Sequence, residues 1–389
     1  MSATFTSVAE AQRIAKRNLP KSVYAAFSAV SSTGADNLLA LREVGFRPRV
    51  GTRHLAIELD TTVLGQRLTM PVIASPVGGL RLAHRDAETG VARAADAAGI
   101  PVGVSTSAQH RIEDIASGLS TPVWYQLYMA GGRSAAEGGI ERARAAGCGA
   151  LVLTIDMLGA GQGTKANAAR NRVPNQVTVR NALRYAPELL VRPRWLADYA
   201  RDGLTLKAAN VRQPHDGPPL TFSEALPINP TWEDISWISE LWRGPLVIKG
   251  IMRTDDAKRA LDAGAAAIVV SNHGGLVLDG VPGTLRSLPA VVNTVGDQAE
   301  VLFDGGVRTG ADIVKALALG ARAVLCGRAC LWGLAAGGQA GVSRVLGLLR
   351  DEIELTLAQL GCASVGDLEV SDLDLPFGWP ARTGPMSLS

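Results

Sequence analysis

"EVLFDGGVRTGADIVKALALGARAVLCGR", residues 300–328, holds two short apolar runs with one helical pattern between them. The first run, "EVLFDGG", ends in two glycines. The stretch "GADIVKALALG" then places apolar residues at helical spacing before the second run, "RAVLCGR". Runs that are almost continuously apolar are typical of parallel strands whose two faces are both buried. The stretch therefore predicts a strand–helix–strand unit with two parallel strands.

The same unit recurs along the rest of the chain. Further apolar runs precede this one, and Ala-rich helical patterns that end in glycine separate most of them. Eight strands followed by helices predict an α/β fold, a TIM (β/α)8 barrel. A doubly wound parallel sheet is the alternative, but the G-x-G-x-x-G turn typical of that fold is missing. The earlier runs lie at residues 71–75, 101–105, 123–128, 150–156, 245–250 and 267–272.

Two segments lie outside the repeat of strand and helix. Residues 1–65 precede the barrel and begin with helical patterns, which predicts an N-terminal helical cap. Between the fourth and fifth runs lies an insertion, 159–228, and residues 159–215 hold ten Lys or Arg against three Asp or Glu. A loop this long within a compact domain is typically a functional lid or a disordered segment. We expect one domain over residues 1–389, with a basic, lid-like insertion after strand 4.

Composition argues against several classes of protein. The 389 residues include 39 Lys and Arg against 36 Asp and Glu, and a net charge of +3 argues against a nucleic-acid partner. The four cysteines lack metal-ligand spacing, which predicts reduced thiols and no metal site. Without a signal-peptide core or a membrane-length apolar run, we expect a cytoplasmic protein and no membrane association. A membrane-surface role for "RNALRYAPELLVRPRW" (180–195) is the minor alternative, because it mixes Arg with Tyr185 and Trp195.

Polar residues gather at the carboxyl ends of the predicted strands, where TIM barrels place their active sites. Stability does not require polar strand ends, so we interpret these residues as a site. Gly-rich turns that lead into a helix bind phosphate, and such turns follow strands 7 and 8. Ordinary tight loops with surface arginines are the alternative. The strand ends hold Ser105, Gln126, Tyr128, Thr154, Asp156, Lys249, Ser271, His273 and Asp304, and the turns hold Gly305, Gly306, Arg308, Gly327 and Arg328.

Several of these stretches together resemble one enzyme family. They are "VIKG" (247–250), "SNHGGLVLDG" (271–280), "DGGVRTGADIVKALALGA" (304–321) and "GRACLWGLA" (327–335). They are similar to the FMN-dependent α-hydroxy acid oxidases and dehydrogenases. The resemblance implies an FMN cofactor, a homotetramer, and an electron acceptor that the sequence leaves open between oxygen, a quinone and a protein.

The resemblance also implies a role for each matching residue. His273 would be the base that takes a proton while hydride equivalents pass to flavin N5. Asp156 would orient its imidazole, Tyr128 would face the substrate, and Lys249 would lie at the N1/O2 end of the flavin. The next helix is expected to open at Asp279-Gly280. The FMN would be held by Pro76, Val77, Gly78, Ser105, Gln126, Thr154, Lys249, Ser271, Asp304, Gly305, Gly306, Arg308, Gly327 and Arg328.

The wall that binds the substrate departs from the family pattern. Members of the family bind the substrate carboxylate with two arginines and a tyrosine. In this sequence Leu276 stands at the position of one arginine, and the other arginine position is matched by Gln162 and Gly163. At the tyrosine pattern Tyr24 is kept while Ala26 replaces the second aromatic residue, and Ser107 replaces another aromatic residue after strand 2. Loss of bidentate arginine contacts removes much carboxylate affinity. These substrate-pocket residues predict a substrate larger than simple 2-hydroxy acids.

A closer resemblance favours one branch of the family. The stretches "APELLVRPRWL" (186–196) and "PTWEDISWISELW" (230–242) look like the mycofactocin-maturation branch, which oxidises a small peptide-derived heterocycle. We therefore predict oxidation of a C–N or C–OH bond in a small-molecule or peptide-derived substrate, a natural-product intermediate. One alternative is a conventional L-2-hydroxy acid oxidase or dehydrogenase whose carboxylate is bound by relocated cations, such as Lys165 or Arg170. Another is a non-redox FMN-dependent isomerase or binding protein.

Overall fold

A closed barrel of eight parallel strands forms the centre of the molecule. The computed structural model describes residues 4–29, 31–52, 54, 56–157, 182–201, 204–212, 219–221 and 228–379. Each barrel strand pairs in parallel with the next one in the chain, and the last pairs with the first. This closure confirms the TIM barrel and rules out the doubly wound sheet. The strands are β1 Val72–Ala74, β2 Val102–Ser105, β3 Val123–Leu127, β4 Ala150–Thr154, β5 Leu246–Ile251, β6 Ala267–Val270, β7 Glu300–Asp304 and β8 Ala323–Cys326.

Helices surround the barrel and precede it. The last of them, α13, has non-helical backbone at Gly337 and Gly338. Single 3-10 turns lie at Leu80–Leu82, His273–Gly275, Val365–Asp367 and Val370–Asp372. The helices are α1 Val8–Asn18, α2 Lys21–Ser28, α3 Ser32–Glu43, α4 Ala87–Ala97, α5 Ile112–Ala116, α6 Gly132–Ala145, α7 Ala182–Leu189, α8 Pro193–Ala200, α9 Trp232–Trp242, α10 Thr254–Asp262, α11 Thr284–Val295, α12 Gly310–Ala318 and α13 Arg328–Leu360.

Within the part of the chain that the structure describes, three short two-stranded sheets lie outside the barrel. Gly45–Phe46 pairs with Leu373–Asp374, Thr61–Val63 pairs with Gln66–Leu68, and Lys207–Arg212 pairs with Pro219–Thr221, each antiparallel. The last of these sheets belongs to the insertion 159–228, together with α7 and α8. The structure describes residues 182–201, 204–212, 219–221 and 228 of that insertion.

Glycines end four of the barrel helices as the sequence predicts. Gly99, Gly147, Gly264 and Gly320 follow α4, α6, α10 and α12 with φ of 66°, 72°, 93° and 100°. These values lie in the left-handed region, which glycine enters without a steric penalty.

The expectation that Asp279 opens a helix is wrong. Helix α11 begins only at Thr284, after Gly283. The Asp279 carboxylate accepts hydrogen bonds from the Ser32 hydroxyl at 2.6 Å and the Thr33 amide at 2.9 Å. Asp279 therefore connects the loop after β6 to the start of the cap helix α3.

The barrel interior is apolar near the amino ends of the strands and polar near the carboxyl ends. Side chains alternate between the two faces of a strand, so every second residue points into the barrel. On seven of the eight strands a polar residue or a glycine lies two residues beyond the apolar layer, and on β2 Ser105 lies two residues beyond Gly103. The apolar layer holds Ile73, Trp124, Ala150, Val152, Val247, Ala267, Val269, Leu302, Ala323 and Leu325. The next positions are Ser75, Ser105, Gln126, Thr154, Lys249, Ser271, Asp304 and Gly327.

The hairpin 61–68 closes the barrel at the amino ends of the strands. Val63 and Leu68 belong to the interior apolar layer, and both are fully buried. Gln66 accepts a hydrogen bond from Trp124 Nε1 at 2.8 Å and donates to the Gly149 carbonyl at 2.9 Å. The residues expected to form the cap thus lie at both ends of the barrel, because α3 contacts the turn 273–275 at the opposite end.

We expect Gln66→Ala to lower the free energy of unfolding by about 1–3 kcal/mol, because it leaves the buried Trp124 N–H without a partner. Urea unfolding with saturating FMN, followed by tryptophan fluorescence, measures the change. Gln298→Ala is the matched control, since Gln298 is exposed and surface substitutions usually change stability by less than about 0.5 kcal/mol. Equal unfolding midpoints for the two variants would contradict the bridging role of Gln66.

Candidate active site

A buried ion pair with a shared hydroxyl lies at the carboxyl ends of three adjacent strands. Lys249 Nζ lies 2.8 Å from Asp304 Oδ2 and 3.0 Å from Ser271 Oγ. The Ser271 hydroxyl donates to Asp304 Oδ2 at 2.9 Å and accepts the His273 amide N–H at 3.1 Å. The pair therefore links β5 and β7 and fixes the first residues after β6.

His273 lies between a carboxylate and a phenol. Its Nδ1 lies 3.0 Å from Asp156 Oδ1, and its Nε2 lies 3.4 Å from the Tyr128 hydroxyl. His273 has φ of 56°, a left-handed conformation that is uncommon for a side-chain-bearing residue and is found at functional sites. Gly250 (φ 111°) makes room for Asp156, since a Cβ there would lie 2.7 Å from the Asp156 side chain. The predicted base, its orienting carboxylate and the tyrosine are thus brought together.

The Asp156 carboxylate and the Lys249 ammonium group both keep their charge at neutral pH. Burial is the largest influence on the pKa of Asp156 and raises it. His273 and Lys249 together outweigh burial, so the pKa lies below its usual value. Burial likewise favours a lower pKa for Lys249, but Asp304 and Asp156 raise it above its usual value. The site therefore contains a fixed carboxylate beside the imidazole and a fixed ammonium ion between two carboxylates.

The cap helix α3 holds the other side of the histidine turn. Asn37 and Asn272 exchange two side-chain amide hydrogen bonds of 2.9 Å, and both residues are buried. The Ser31 hydroxyl donates to the Gly275 carbonyl at 2.5 Å. A Cβ on Gly275 would lie 2.4 Å from the Gly34 amide nitrogen, so the two backbones touch. These contacts are absent from the sequence predictions, although Asn272 stands directly beside the predicted base.

The opening at the carboxyl ends of the barrel strands, called the barrel mouth, has one buried amide nitrogen without a partner on its β2–β4 side. This nitrogen suggests a ligand-binding position. The Ser105 hydroxyl donates to Gln126 Oε1 at 2.9 Å. Gln126 Nε2 is buried and has no hydrogen-bond partner within the described part of the chain. Thr154 lies beside Lys249 in the strand register. Buried polar atoms are nearly always hydrogen-bonded, so this N–H group fits a ligand with an acceptor atom.

The turn after β1 borders the same opening. Gly103 permits Pro76 to lie across β2, because a Cβ on Gly103 would be 2.5 Å from Pro76 Cδ. A Cβ on Gly327 would be 3.7 Å from Val77 Cγ2, so the turns after β1 and β8 are neighbours. Gly78 follows directly in the first of these turns. The residues predicted to line the flavin edge and those predicted to bind its phosphate therefore lie next to one another.

Two arginines form a cationic site beyond β7 and β8. Arg308 and Arg328 are partly buried, and the ion pairs of the described residues give neither of them a carboxylate within 4.0 Å. Burial and the neighbouring Arg328 lower the pKa of Arg308 to about 10, and burial also lowers the pKa of Arg328. Arg328 Nη2 donates to the Gly274 carbonyl, which connects this site to the histidine turn. Two adjacent cations without a carboxylate fit a bound anion.

The helix that offers free N–H groups to this anion is α13. The predicted phosphate turn after β7, with Gly305 (φ 136°) and Gly306 (φ 83°), leads into α12. The start of α12 is already capped: Asp312 accepts the Arg308 and Thr309 amides at 2.9 Å each. Helix α13 begins after Gly327 without a side-chain cap. Its first amide groups and the helix dipole therefore suit a phosphate.

The predicted substrate-pocket residues are only partly gathered at this opening. Leu276 is partly buried and ends the 3-10 turn that begins at His273. The Ser107 amide donates to Ser105 Oγ at 3.1 Å, and Ala26 is buried on α2. The Tyr24 ring packs on Trp332 at 5.5 Å between centroids, and its hydroxyl accepts from Gln12 at 3.2 Å. Gln162 and Gly163, and the cations Lys165 and Arg170, lie outside the described residues.

The polar groups at the carboxyl ends of these barrel strands fit an oxidoreductase that binds a phosphorylated flavin. The chain belongs to the FMN-dependent dehydrogenase family, whose model matches residues 15–375. It is therefore an FMN-dependent enzyme of the α-hydroxy acid oxidase and dehydrogenase group, as the sequence resemblance predicts. This membership confirms FMN as the cofactor and removes the non-redox alternative.

Several relatives match nearly the whole chain. Pre-mycofactocin synthase of Mycobacterium tuberculosis is 47% identical over 97% of this chain and 96% of its own length. The same enzyme of Mycolicibacterium smegmatis is 43% identical over 98% of this chain and 96% of its own length. L-lactate dehydrogenase of Alcaligenes faecalis is 38% identical over 85% of this chain and 88% of its own length.

Solved structures of the family have the same fold. The monotopic membrane protein (S)-mandelate dehydrogenase superposes with a TM-score of 0.87 at 33% identity, and the match covers 96% of this chain and all of that one. Mandelate oxidase with (S)-2-phenylpropionate gives a TM-score of 0.78 at 32% identity, over 95% and 98% of the two chains. Within the described residues, none of the helices is both long and apolar enough to cross a bilayer.

We expect Arg308→Met to weaken FMN binding by about tenfold to a hundredfold, because it removes a charge-assisted contact to the phosphate. Fluorescence titration of the flavin-free protein with FMN gives the dissociation constant. Arg93→Met serves as the control, because Arg93 is exposed on α4. If both variants bind FMN as tightly as the wild type, the anion site beyond β7 and β8 is misassigned.

Proposed function

We propose that this enzyme oxidises a C–N or C–OH bond in a substrate larger than simple 2-hydroxy acids, a peptide-derived or other natural-product intermediate. One observation supports the proposal above all. The proton-transfer set of His273, Asp156 and Tyr128 is assembled, while Leu276 stands three residues after the base, where the family places a carboxylate-binding arginine. Similarity to pre-mycofactocin synthase at 47% identity supports the same branch of substrates.

His273 acts as the base through Nε2. Asp156 is ionised and can only accept a hydrogen bond, so Nδ1 carries a proton and Nε2 is left with its lone pair. The Tyr128 hydroxyl lies at this nitrogen and orients the group whose proton is removed. When Nε2 takes a proton, the imidazole becomes a cation, and the adjacent Asp156 carboxylate stabilises it.

The residues at the carboxyl ends of the barrel strands fit FMN. Bound FMN supplies a two-electron acceptor for the oxidation. The backbone of Pro76, Val77 and Gly78 would line the ring edge, and Gln126 Nε2 would donate to the ring with Ser105 and Thr154 beside it. Lys249 provides a permanent positive charge, held in place by Ser271 and Asp304. The phosphate and ribityl chain would be held by Arg308, Arg328, Asp304, Gly305, Gly306 and Gly327.

Among the residues that the structure describes, the predicted substrate positions do not carry the arginine and aromatic side chains with which the family binds a small acid. Leu276, Ala26 and Ser107 are apolar or small at positions where the family has larger or charged side chains. Without a bidentate arginine, a carboxylate in this region loses its strongest contact. The alternative of a conventional L-2-hydroxy acid enzyme depends on Lys165 or Arg170, and the similarity to L-lactate dehydrogenase at 38% identity is the observation in its favour. A homotetramer and a cytoplasmic location stay predictions.

Restoring the arginine tests the pocket directly. We expect Leu276→Arg to raise the second-order rate of flavin reduction by L-lactate by about tenfold or more, because an ionised hydrogen bond contributes about 1.5–3 kcal/mol. Anaerobic stopped-flow absorbance measures the rate. Leu278→Arg is the matched control: it adds the same charge two residues away on a side chain that is 67% exposed. Equal effects of the two variants would show that position 276 does not face the substrate.

Asparagine at position 156 tests the proton-transfer pair. We expect Asp156→Asn to slow flavin reduction by about a hundredfold to ten-thousandfold, because the amide no longer fixes the imidazole or stabilises its charged form. The measurement uses whichever member of a panel of 2-hydroxy acids and amine-bearing heterocycles reduces the wild-type flavin fastest. Asp297→Asn, at an exposed aspartate, should react like the wild type. An FMN-loaded Asp156→Asn variant that reacts at the wild-type rate would refute the role.

A further inference from the structure

We propose that Asn210, in the insertion after β4, is a positioning residue for the FMN site: it braces the loop after β2 and so fixes the side-chain amide of Gln126. This inference rests on the proposed role of Gln126 as a hydrogen-bond donor to the flavin ring. Asn210 lies on the strand Lys207–Arg212 and is only 4% exposed. A buried amide side chain is expected to make its hydrogen bonds within the protein, so its partners show what it holds in place.

The loop between β2 and α5, residues 106–111, holds the end of β3. The Thr106 hydroxyl donates to the Gln126 carbonyl at 2.6 Å and accepts the Tyr128 amide at 3.0 Å. The Thr106 amide donates to the same carbonyl at 2.8 Å. At the start of the loop, the Ser105 hydroxyl binds Gln126 Oε1 at 2.9 Å. The orientation of the Gln126 side chain, and with it the direction of Nε2, therefore depends on the position of this loop.

Asn210 connects the two ends of the loop through one side-chain amide. Its Nδ2 donates to the Ser105 carbonyl at 3.4 Å and to the His110 carbonyl at 3.1 Å. Its Oδ1 accepts the amide of Ile112, the first residue of α5, at 2.9 Å. An asparagine side chain has two donor hydrogens and one acceptor oxygen, and both ends are used here. Asn210 thereby sets the distance between the end of β2 and the start of α5.

The strand Lys207–Arg212 is attached to the same loop at two further points. The Ala209 amide donates to the Ala108 carbonyl at 2.9 Å. The Lys207 amide donates to Gln109 Oε1 at 2.8 Å. These bonds keep the strand in register with the loop, so this part of the insertion acts as a support for the end of β2.

Arg142 on α6 determines the orientation of the Asn210 amide. Its guanidinium binds the Glu113 carboxylate through two hydrogen bonds of 2.6 Å and 2.8 Å. The same Nη2 donates to Asn210 Oδ1 at 3.4 Å, and Nη1 donates to the Ala209 carbonyl at 3.4 Å. A guanidinium can only donate, so it selects the oxygen of Asn210 and leaves Nδ2 for the carbonyls of the loop.

A double-mutant cycle in FMN affinity tests the proposal. We expect Asn210→Ala to weaken binding of FMN to the flavin-free protein by about fivefold or more, because the loop loses its brace and Gln126 is no longer held. In a Gln126→Ala background, the same substitution should change the dissociation constant by less than about twofold, because the group through which Asn210 acts is gone. Fluorescence titration with FMN measures all four proteins. The absorbance bands of bound FMN should also shift in Asn210→Ala.

Two substitutions on the same strand are matched controls. Lys207→Ala truncates an exposed side chain and should bind FMN like the wild type. Val211→Ala removes apolar atoms from a residue that is 2% exposed. It should lower the midpoint of urea unfolding but change the FMN dissociation constant by less than about twofold. If Asn210→Ala does not fold, Asn210→Asp replaces it, because it keeps the acceptor for Ile112 and loses only the donor.

Equal weakening of FMN binding by the Asn210 substitution with and without Gln126 would overturn the proposal. An effect no larger than that of Val211→Ala would overturn it as well. If Gln126→Ala weakens FMN binding while the Asn210 variants do not, Gln126 keeps its proposed role and only the positioning role of Asn210 is refuted. If Gln126→Ala itself binds FMN like the wild type, the assignment of Gln126 to the flavin is wrong and the inference fails with it.

Discussion

The Ser271 hydroxyl is the group on which the geometry of the active site depends. A hydroxyl can donate one hydrogen bond and accept two, and Ser271 makes all three. It donates to Asp304, and it accepts from Lys249 Nζ and from the His273 amide. One side chain thus holds the buried cation, its carboxylate partner and the backbone of His273. A buried lysine is tolerated here because its charge is matched by two carboxylates, Asp304 and Asp156.

The N-terminal cap and the barrel strands together fix the backbone conformation of His273. His273 has a left-handed backbone, and such a conformation persists only where surrounding contacts impose it. The barrel supplies the Ser271 contact on one side. The cap supplies the Asn37–Asn272 amide pair and the close approach of Gly34 to Gly275 on the other. The cap helix α3 therefore helps to fix the position of His273, the proposed base.

The barrel and its polar layer follow from the sequence, because both depend on local periodicity. Apolar runs at regular spacing predict the strands, and alternation along each strand brings polar residues such as Gln126, Lys249 and Ser271 to the same level. Contacts with the cap depend on residues far apart in the chain: Asn37 and Asn272 are 235 positions apart, and no local pattern pairs them.

The face of helix α7 that is buried could not be predicted from the sequence. Helix α7 has apolar residues on two faces, so its composition does not reveal whether Tyr185 or Leu183 is buried. Only the packing on α2, through Glu188 and Ser22, decides it. The same holds for the phosphate turns: the sequence marks both as glycine-rich, but the capping by Asp312 leaves only the start of α13 open.

We propose that the enzyme keeps the family's proton-transfer set and has lost its small-acid pocket. Anaerobic mixing of the FMN-loaded wild type with millimolar glycolate, L-lactate and (S)-mandelate, followed by flavin absorbance, tests this claim most directly. We expect the oxidised flavin spectrum to persist with all three acids. Rapid bleaching by any one of them would contradict it and would show that a small 2-hydroxy acid is bound without the arginine at position 276.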